Sequence, residues 1–204
     1  MTTVSGPDHY FTDDPRSART PQQVWLRIDG ESVELTTSTG TFSPRRIDPG
    51  TALLLESLPP PSTWPEGPVL DLGCGYGPLA VAVAHRSIGT GREVWAVDVN
   101  ARARDDCRAN VARLGLEVRV AAPDEVPEGH RFAVIVSNPP VRIGKDALHS
   151  LLEHWLDRLR PDGVAWLVVS RHLGADSLAA WLTERGRSVE RVRSRRGYRV
   201  LQVR

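Results

Sequence analysis

The chain has 204 residues, is 40% hydrophobic, and carries a formal net charge of +1. That suits one substantial α/β domain with a small N-terminal appendage, and no apolar run approaches the roughly 20 residues of a membrane span. Two cysteines, Cys74 and Cys107, are too few for a disulfide framework, and the polar, acidic N-terminus lacks a secretory pattern, so a cytoplasmic protein is expected.

The near-zero charge hides an asymmetry. Residues 1–66 hold five Arg against nine Asp/Glu, whereas residues 185–204 hold eight Arg against Glu190 alone. A one-sided positive surface is the footprint of a polyanion partner. A solvated strand edge in an Arg-rich chain, with Lys145 its one lysine, explains it equally well.

In chain order, residues 1–22 read as an irregular arm whose His9-Tyr10-Phe11 anchors it to the domain. Val24 to Ile28 and Ser32 to Thr36 alternate around Asp29-Gly30, a hairpin signal. A turn-rich loop, Gly40 to Thr51, leads to a short helix, Ala52 to Leu58, and the proline-rich stretch to Pro68 reads as a linker. The expected units are 1–66 (arm, hairpin, short helix) and 67–204 (main domain). From Val69 strands alternate with helices. Val69 to Leu72 is a strand, Leu79 to Ile88 a helix, Glu93 to Val99 a strand, and Ala101 to Leu114 a helix capped by Asn100. Val118 to Ala121 and Phe132 to Val136 are strands, Lys145 to Leu159 a helix, Val164 to Val169 a strand, and Ser177 to Arg185 a helix. Val189 to Arg193 and Tyr198 to Val203 close the chain as an antiparallel pair. The fold expected is a doubly wound, mostly parallel seven-stranded α/β sheet with an N-terminal hairpin and arm.

Ligands of such sheets bind beyond the carboxyl ends of the strands. Four polar features fall there: Asp71 with Gly73, Gly75 and Gly77; Asp98; Asp124; and Asn138-Pro139-Pro140. Glycines at a strand-to-helix turn let a ligand approach backbone N–H groups closely. The G-x-G-x-G spacing with an acid at the strand end differs from the dinucleotide G-x-G-x-x-G and suits an amine-bearing ligand, while no Walker lysine follows. Asp98 can hold both hydroxyls of a ribose. Asn138 and the Pro139 carbonyl, stiffened by the prolines, can accept both hydrogens of a planar –NH2 and aim its lone pair outward. Cys74 reads as a small residue beneath a ligand. The six histidines (9, 85, 130, 149, 154 and 172) show no metal spacing and read as surface residues, so no metal is expected.

With these pieces in place, the chain resembles a class I S-adenosylmethionine-dependent methyltransferase. More closely, it is similar to the catalytic domain of the small-subunit ribosomal RNA guanine-N2 methyltransferase family. The matching segments are Gly40-Thr41-Phe42-Ser43, Leu53-Leu54-Leu55, Leu70 to Gly75, Asp98, Arg131-Phe132 through Asn138-Pro139-Pro140, and Gly197-Tyr198-Arg199-Val200. They cover roughly residues 25–204. The resemblance implies a Rossmann-like methyltransferase sheet and S-adenosylmethionine as cofactor. It implies that Asp71, Gly73 and Gly75 cradle the methionine part, that Asp98 holds the ribose, that Asp124 lies beside the adenine, and that Cys74, Gly77 and Val99 also bind the cofactor. Asp48 and Gly50 would close over the cofactor. Asn138, Pro139 and Pro140 would carry catalysis.

Two departures shape the acceptor side. The family usually follows Asn-Pro-Pro with an aromatic that stacks on the base, and here Val141-Arg142 stands instead, with the Arg142 guanidinium able to stack. Some members carry a duplicated N-terminal RNA-recognition domain, which is not expected here, so substrate contact would fall to the arm, the hairpin, Phe42, Arg45, Arg46 and the Arg-rich C-terminal strands, or to a partner. The implied partner is ribosomal RNA or the small ribosomal subunit, with no membrane, for a monomer or homodimer. Three alternatives remain: a protein glutamine amide as acceptor, DNA adenine N6 as acceptor, or an inactive RNA-binding assembly factor of this fold. An NAD-dependent oxidoreductase is disfavoured by the glycine spacing.

Overall fold

The structure, a computed structural model, describes residues 20–39 and 46–204. The His9-Tyr10-Phe11 arm, Phe42 and Arg45 lie outside the described residues. The chain opens with strands β1 (Pro21–Ile28) and β2 (Glu31–Ser38), paired antiparallel from Pro21↔Ser38 to Ile28↔Glu31. The turn between them is left-handed at both central residues, Asp29 (φ 49°) and Gly30 (φ 97°), the geometry that matches the twist of the flanking strands. Alternation puts Val24, Leu26, Ile28 and Leu35 inside and leaves Trp25 60% exposed. Helix α1 (Pro49–Ser57) follows, its first turn capped by the Asp48 carboxylate, which accepts from the N–H groups of Gly50 and Thr51.

The main sheet comprises β3 (Val69–Leu72), β4 (Val94–Val97), β5 (Arg119–Ala121), β6 (Phe132–Ser137), β7 (Leu159–Ser170), β8 (Val189–Arg195) and β9 (Tyr198–Val203). Its order is β5-β4-β3-β6-β7-β9-β8, parallel through β7, with β9 antiparallel to both β7 and β8. The interleaved helices are α2 (Pro78–Arg86), α3 (Ala101–Arg113), α4 (Lys145–Leu156) and α5 (Ala175–Glu184). One face of the sheet packs on α1, α2, α3 and the hairpin, and the other on α4 and α5. Strands buried on both faces read as continuous apolar runs, as Val69-Leu70 and Phe132 to Val136 do. The expected doubly wound, mostly parallel seven-stranded sheet with an N-terminal hairpin is therefore present.

Three local expectations differ from the structure. The proline-rich stretch before Val69 is no slack linker. Pro61–Thr63 forms a short 3-10 turn, Trp64 is buried in the same apolar cluster as α1 and α2, and the Arg92 guanidinium donates to the carbonyls of Pro65 and Gly67. One large aromatic side chain outweighs the composition around it. Helix α4 stops at Leu156, not Leu159. Leu159 fits the helical stripe, but it pairs with Phe132 and starts β7, with a bulge before Val164. The C-terminal arginines are not a free positive strip either. Arg185 pairs with Glu153, Arg187 with Asp157, Arg191 and Arg199 with Asp176, and Arg193 and Arg195 with Glu56. The acids come from α1, the end of α4 and α5, all outside residues 185–204, which is why the count of charges within that stretch overstated the surface. Among the described residues no helix is long and apolar enough to cross a membrane, and no cluster of His, Cys, Asp and Glu is placed to hold a metal.

Candidate active site

The chain runs from β3 outward through β4 to β5 and then returns to place β6 on the other side of β3. That reversal opens a crevice at the carboxyl ends of β3 and β6. A cavity of about 370 Å³ fills it, within the range of small-molecule sites. Of the residues singled out from sequence, Asp48, Gly73, Cys74, Gly75, Asp98, Val99, Asn138, Pro139, Pro140, Val141 and Arg142 line it.

The glycine turn is held open by backbone bonds. The N–H groups of Gly73 and Cys74 both donate to the Val97 carbonyl at the end of β4, at 2.8 and 3.0 Å. The Gly75 N–H donates to Asp98 Oδ2 at 2.9 Å, and the Asn100 N–H to Asp98 Oδ1 at 2.9 Å. A left-handed backbone at Gly75 (φ 56°) brings its N–H to Asp98 with open space where a Cβ would stand. Gly77 is different. It caps α2 with φ 92°, and a Cβ there would meet Cys107 Sγ at 2.7 Å, so this glycine serves the approach of α3 and lies off the cavity wall.

Asp71 is also behind the wall. It is 1% exposed, and its Oδ2 accepts from the Ala80 N–H at 2.8 Å, tying β3 to the first turn of α2. Its Oδ1 is buried without a partner in the protein. Burial, with a smaller push from the nearby Asp98 carboxylate, raises the Asp71 carboxyl to about 8. Desolvation likewise raises Asp98 above the usual carboxylate range, against the pull of its backbone N–H donors.

The crevice thus offers an acid at the end of β4 and an apolar wall including Leu79, Val97 and Pro123, with the partnerless Asp71 carboxyl directly behind the glycine turn. An ammonium, a pair of ribose hydroxyls and a purine are the groups these surfaces complement, and S-adenosylmethionine carries all three. Asp124, expected beside the adenine, is off the cavity wall. Asp124 is exposed on a 3-10 turn, and Pro123 is the residue that lines the cavity.

At the end of β6 the Asn138 amide is fixed. Its Nδ2 donates to Asp48 Oδ2 at 2.9 Å and to Thr51 Oγ1 at 3.0 Å. A carboxylate is acceptor only, so this assigns Nδ2 to the α1 side and leaves Oδ1 as the acceptor on the other. Across Pro140 (φ −75°, ψ 68°) the Val141 N–H donates back to the Pro139 carbonyl at 2.8 Å, an inverse γ-turn that keeps one lone pair of that carbonyl free. Asp48 thus lines the cavity and also holds the Asn138 amide. Gly50, off the cavity wall, makes room for the ring of Tyr198, whose Cε1 would lie 2.7 Å from a Cβ. Arg46 is exposed on the approach to Asp48 and is not part of the wall.

Sequence reasoning missed Thr51 and Tyr198 as site residues. The spacing of 87 residues between Thr51 and Asn138 gives no local signal, and Tyr198 registers only as part of Gly197-Tyr198-Arg199-Val200. We expect Asp48→Ala to lower methyl transfer by about ten-fold, since Asn138 loses an orienting partner, and to cost ~1 kcal/mol of stability through the lost helix cap. Asp48→Asn keeps the cap and restores most of that stability. Equal activity of Asp48→Ala and wild type in a methyl-transfer assay would contradict the orienting role.

Comparison with known proteins agrees with this geometry. The profile of the family described as "Methyltransferase small domain" matches residues 32–202. An uncharacterized protein of Bacillus subtilis, YbxB, is 32% identical over 201 residues, covering 96% of this chain and 98% of that one. Ribosomal RNA small subunit methyltransferase C of Shewanella amazonensis is 33% identical over 153 residues, covering 72% of this chain and 43% of its own. Among solved structures, the 16S rRNA N2 guanine methyltransferase RsmC of T. thermophilus, in complex with AdoMet and guanosine, superposes with a TM-score of 0.77 at 28% identity. That match covers 92% of this chain and 51% of the other, so this chain spans about half the length of these methyltransferases. The ribosomal protein L11 methylase of Lactobacillus delbrueckii, 22% identical with a TM-score of 0.61 over 78% of this chain and 83% of that one, shares the fold. S-adenosylmethionine is accordingly the cofactor the cavity is built for. The chain belongs to the methyltransferase small domain family and is an S-adenosylmethionine-dependent methyltransferase related to ribosomal RNA small subunit methyltransferase C.

Proposed function

We propose that the protein methylates an exocyclic amine of a ribosomal RNA base, with guanine N2 of the small-subunit RNA as the acceptor. The observation that carries this reading is the locked Asn138 amide. With both its N–H groups held by Asp48 and Thr51, Oδ1 is presented beside the Pro139 carbonyl. Two fixed acceptors suit the two hydrogens of a planar –NH2. The lone pair of such an amine is delocalised into the ring, and the nitrogen is a poor nucleophile until its hydrogens are held and positive charge on it is stabilised.

The bound cofactor supplies a methyl group on a sulfonium, with a neutral thioether as leaving group. The residues of the chain do the rest. The Asn138 oxygen and the Pro139 carbonyl orient the amine so that its lone pair meets the methyl in line. Both carbonyl dipoles stabilise the positive charge that grows on nitrogen as the new bond forms. One N–H proton then leaves to solvent and neutrality returns. Apolar Val168, Leu151 and Trp155 around the floor of the cavity limit water there.

The likeness to methyltransferases named for ribosomal RNA favours RNA over the other carriers of a planar –NH2, a glutamine amide or adenine N6. An RNA partner and a cytoplasmic location go with that reading. The test is transfer of tritiated methyl from labelled cofactor to small-subunit ribosomal RNA, assembled small subunits, protein and DNA in separate reactions, followed by nucleoside analysis. We expect N2-methylguanosine in the RNA. Label recovered as methylglutamine or N6-methyladenine, or cofactor binding with no acceptor labelled at all, would refute the RNA reading.

A further inference from the structure

The cavity has three aromatic walls, and they are not equivalent. Tyr76 and Trp155 are 3% and 1% exposed, their rings spent on the core. Tyr198 is half-buried and is the ring with surface to offer. It is the first residue of β9, paired with Ser170 at the end of β7, so it rises from the rim on the side of Asn138, away from the glycine turn.

Two contacts fix it. Its Cε1 and Cδ1 lie against the bare Cα of Gly50, where a Cβ would be 2.7 and 2.8 Å away. Its hydroxyl reaches Asp48 Oδ1 at 3.5 Å, the same carboxylate whose Oδ2 holds Asn138 at 2.9 Å. Tyr198 and the acceptor-binding amide are thus one carboxylate apart. Arg142, exposed on the turn after Pro140, adds positive charge close enough to act on the tyrosine hydroxyl. Val141, the side chain that follows the two prolines directly, is aliphatic and contributes no ring.

A planar base that presents its amino edge to Asn138 Oδ1 needs a surface for its face, and aromatic side chains supply it for any base. We propose that Tyr198 is the face on which the acceptor base stacks, and hence that the acceptor half of this cavity selects a heterocyclic amine over the acyclic amide of a glutamine. This inference rests on the base-amine reading of the preceding section. It adds a binding residue to the reaction and a reason for the glycine at position 50.

The test compares full-length wild type, Tyr198→Phe and Tyr198→Leu. The readouts are KM and kcat for methyl transfer into small-subunit ribosomal RNA, the affinity for S-adenosylhomocysteine, and quenching of 2-aminopurine riboside, whose fluorescence falls on stacking. We expect Tyr198→Leu to raise KM for RNA about ten-fold, with kcat changed less and S-adenosylhomocysteine affinity within about two-fold of wild type. Tyr198→Phe should match wild type, and quenching should occur with the two aromatic forms and not with leucine. An unchanged KM in Tyr198→Leu overturns the proposal while leaving the acceptor reading intact. So does a Tyr198→Phe protein as impaired as Tyr198→Leu, which would locate the effect in the hydroxyl and Asp48. Should leucine also cost cofactor affinity, quenching by wild type and Tyr198→Phe decides, its absence being against stacking. If wild type labels glutamine or no RNA at all, both the acceptor reading and the role of Tyr198 fall together.

Discussion

Asn138→Ala should reduce methyl transfer by about 10²–10³-fold and leave the affinity for S-adenosylhomocysteine within about two-fold of wild type, the range seen when one preorganised polar group is removed from a reacting centre. The substitution removes the oxygen that faces the acceptor and keeps the glycine turn, Asp71 and Asp98 untouched. The neighbouring Pro139 carbonyl still holds one hydrogen of the amine, which is why residual transfer above background is expected. Because Asp48 reaches the reacting nitrogen through the amide it orients, Asp48→Ala should cost much less than ten-fold in the Asn138→Ala background, although alone it costs about ten-fold. Asn138→Asp is a sharper variant. It places a second carboxylate at the 2.9 Å contact with Asp48 Oδ2, where like charges repel, and should be at least as inactive as alanine. Steady-state kinetics with labelled cofactor, paired with calorimetry of S-adenosylhomocysteine, separates the two effects. A parallel loss of cofactor affinity in Asn138→Ala would place that residue on the donor side of the cavity instead.

What the residues reveal on their own follows the range over which each interaction acts. The glycine turn, the Asn100 cap and the Asp29-Gly30 hairpin are set by backbone conformation within a few positions, and each stands where the spacing puts it. Asp98 and Asn138 were legible because strand ends in a parallel sheet converge on one rim, so a coarse strand pattern sufficed. Asp48 was not. Its cap of α1 is local, but its bond to Asn138 spans 90 residues and shows only once α1 is packed beside the end of β6. Gly50 was singled out for the wrong neighbour, since what fills the space beside it is Tyr198, on the far edge of the sheet. The arginines of β8 and β9 misled for the same reason, their acids lying on helices that fold back over them. Trp64 is the converse case, one side chain whose burial turns a linker composition into a packed segment.

Asp71→Asn should stabilise the protein at alkaline pH while weakening cofactor binding. Asp71 is buried, with one oxygen committed to the Ala80 N–H and the other without a partner, and desolvation holds its carboxyl at about 8. In the unfolded chain the same group releases its proton near 4. Between those values the native state binds more protons than the unfolded state, so its stability is full below about 4 and declines as pH rises toward about 8. Across that window the loss is at most ~6 kcal/mol, at about 1.4 kcal/mol per unit. Asparagine retains an oxygen for the Ala80 N–H and carries no charge to desolvate. Its thermal midpoint should therefore fall less steeply between pH 5 and 8.5 than that of wild type, Asp98 supplying the fall that remains, and the two curves should diverge most at the alkaline end. If the free Oδ1 of Asp71 meets an ammonium-bearing ligand through the glycine turn, binding offsets this cost, the stability–function exchange seen where sites are built from unsatisfied groups. S-adenosylhomocysteine, which keeps that ammonium, should consequently bind Asp71→Asn about ten-fold more weakly at pH 8. Thermal denaturation across the pH range and calorimetry at its upper end measure the two sides. A wild-type midpoint that rises from pH 5 to 8.5, or an Asp71→Asn protein that is less stable at pH 8.5 yet binds S-adenosylhomocysteine as tightly, would show that Asp71 is a structural cap and nothing more.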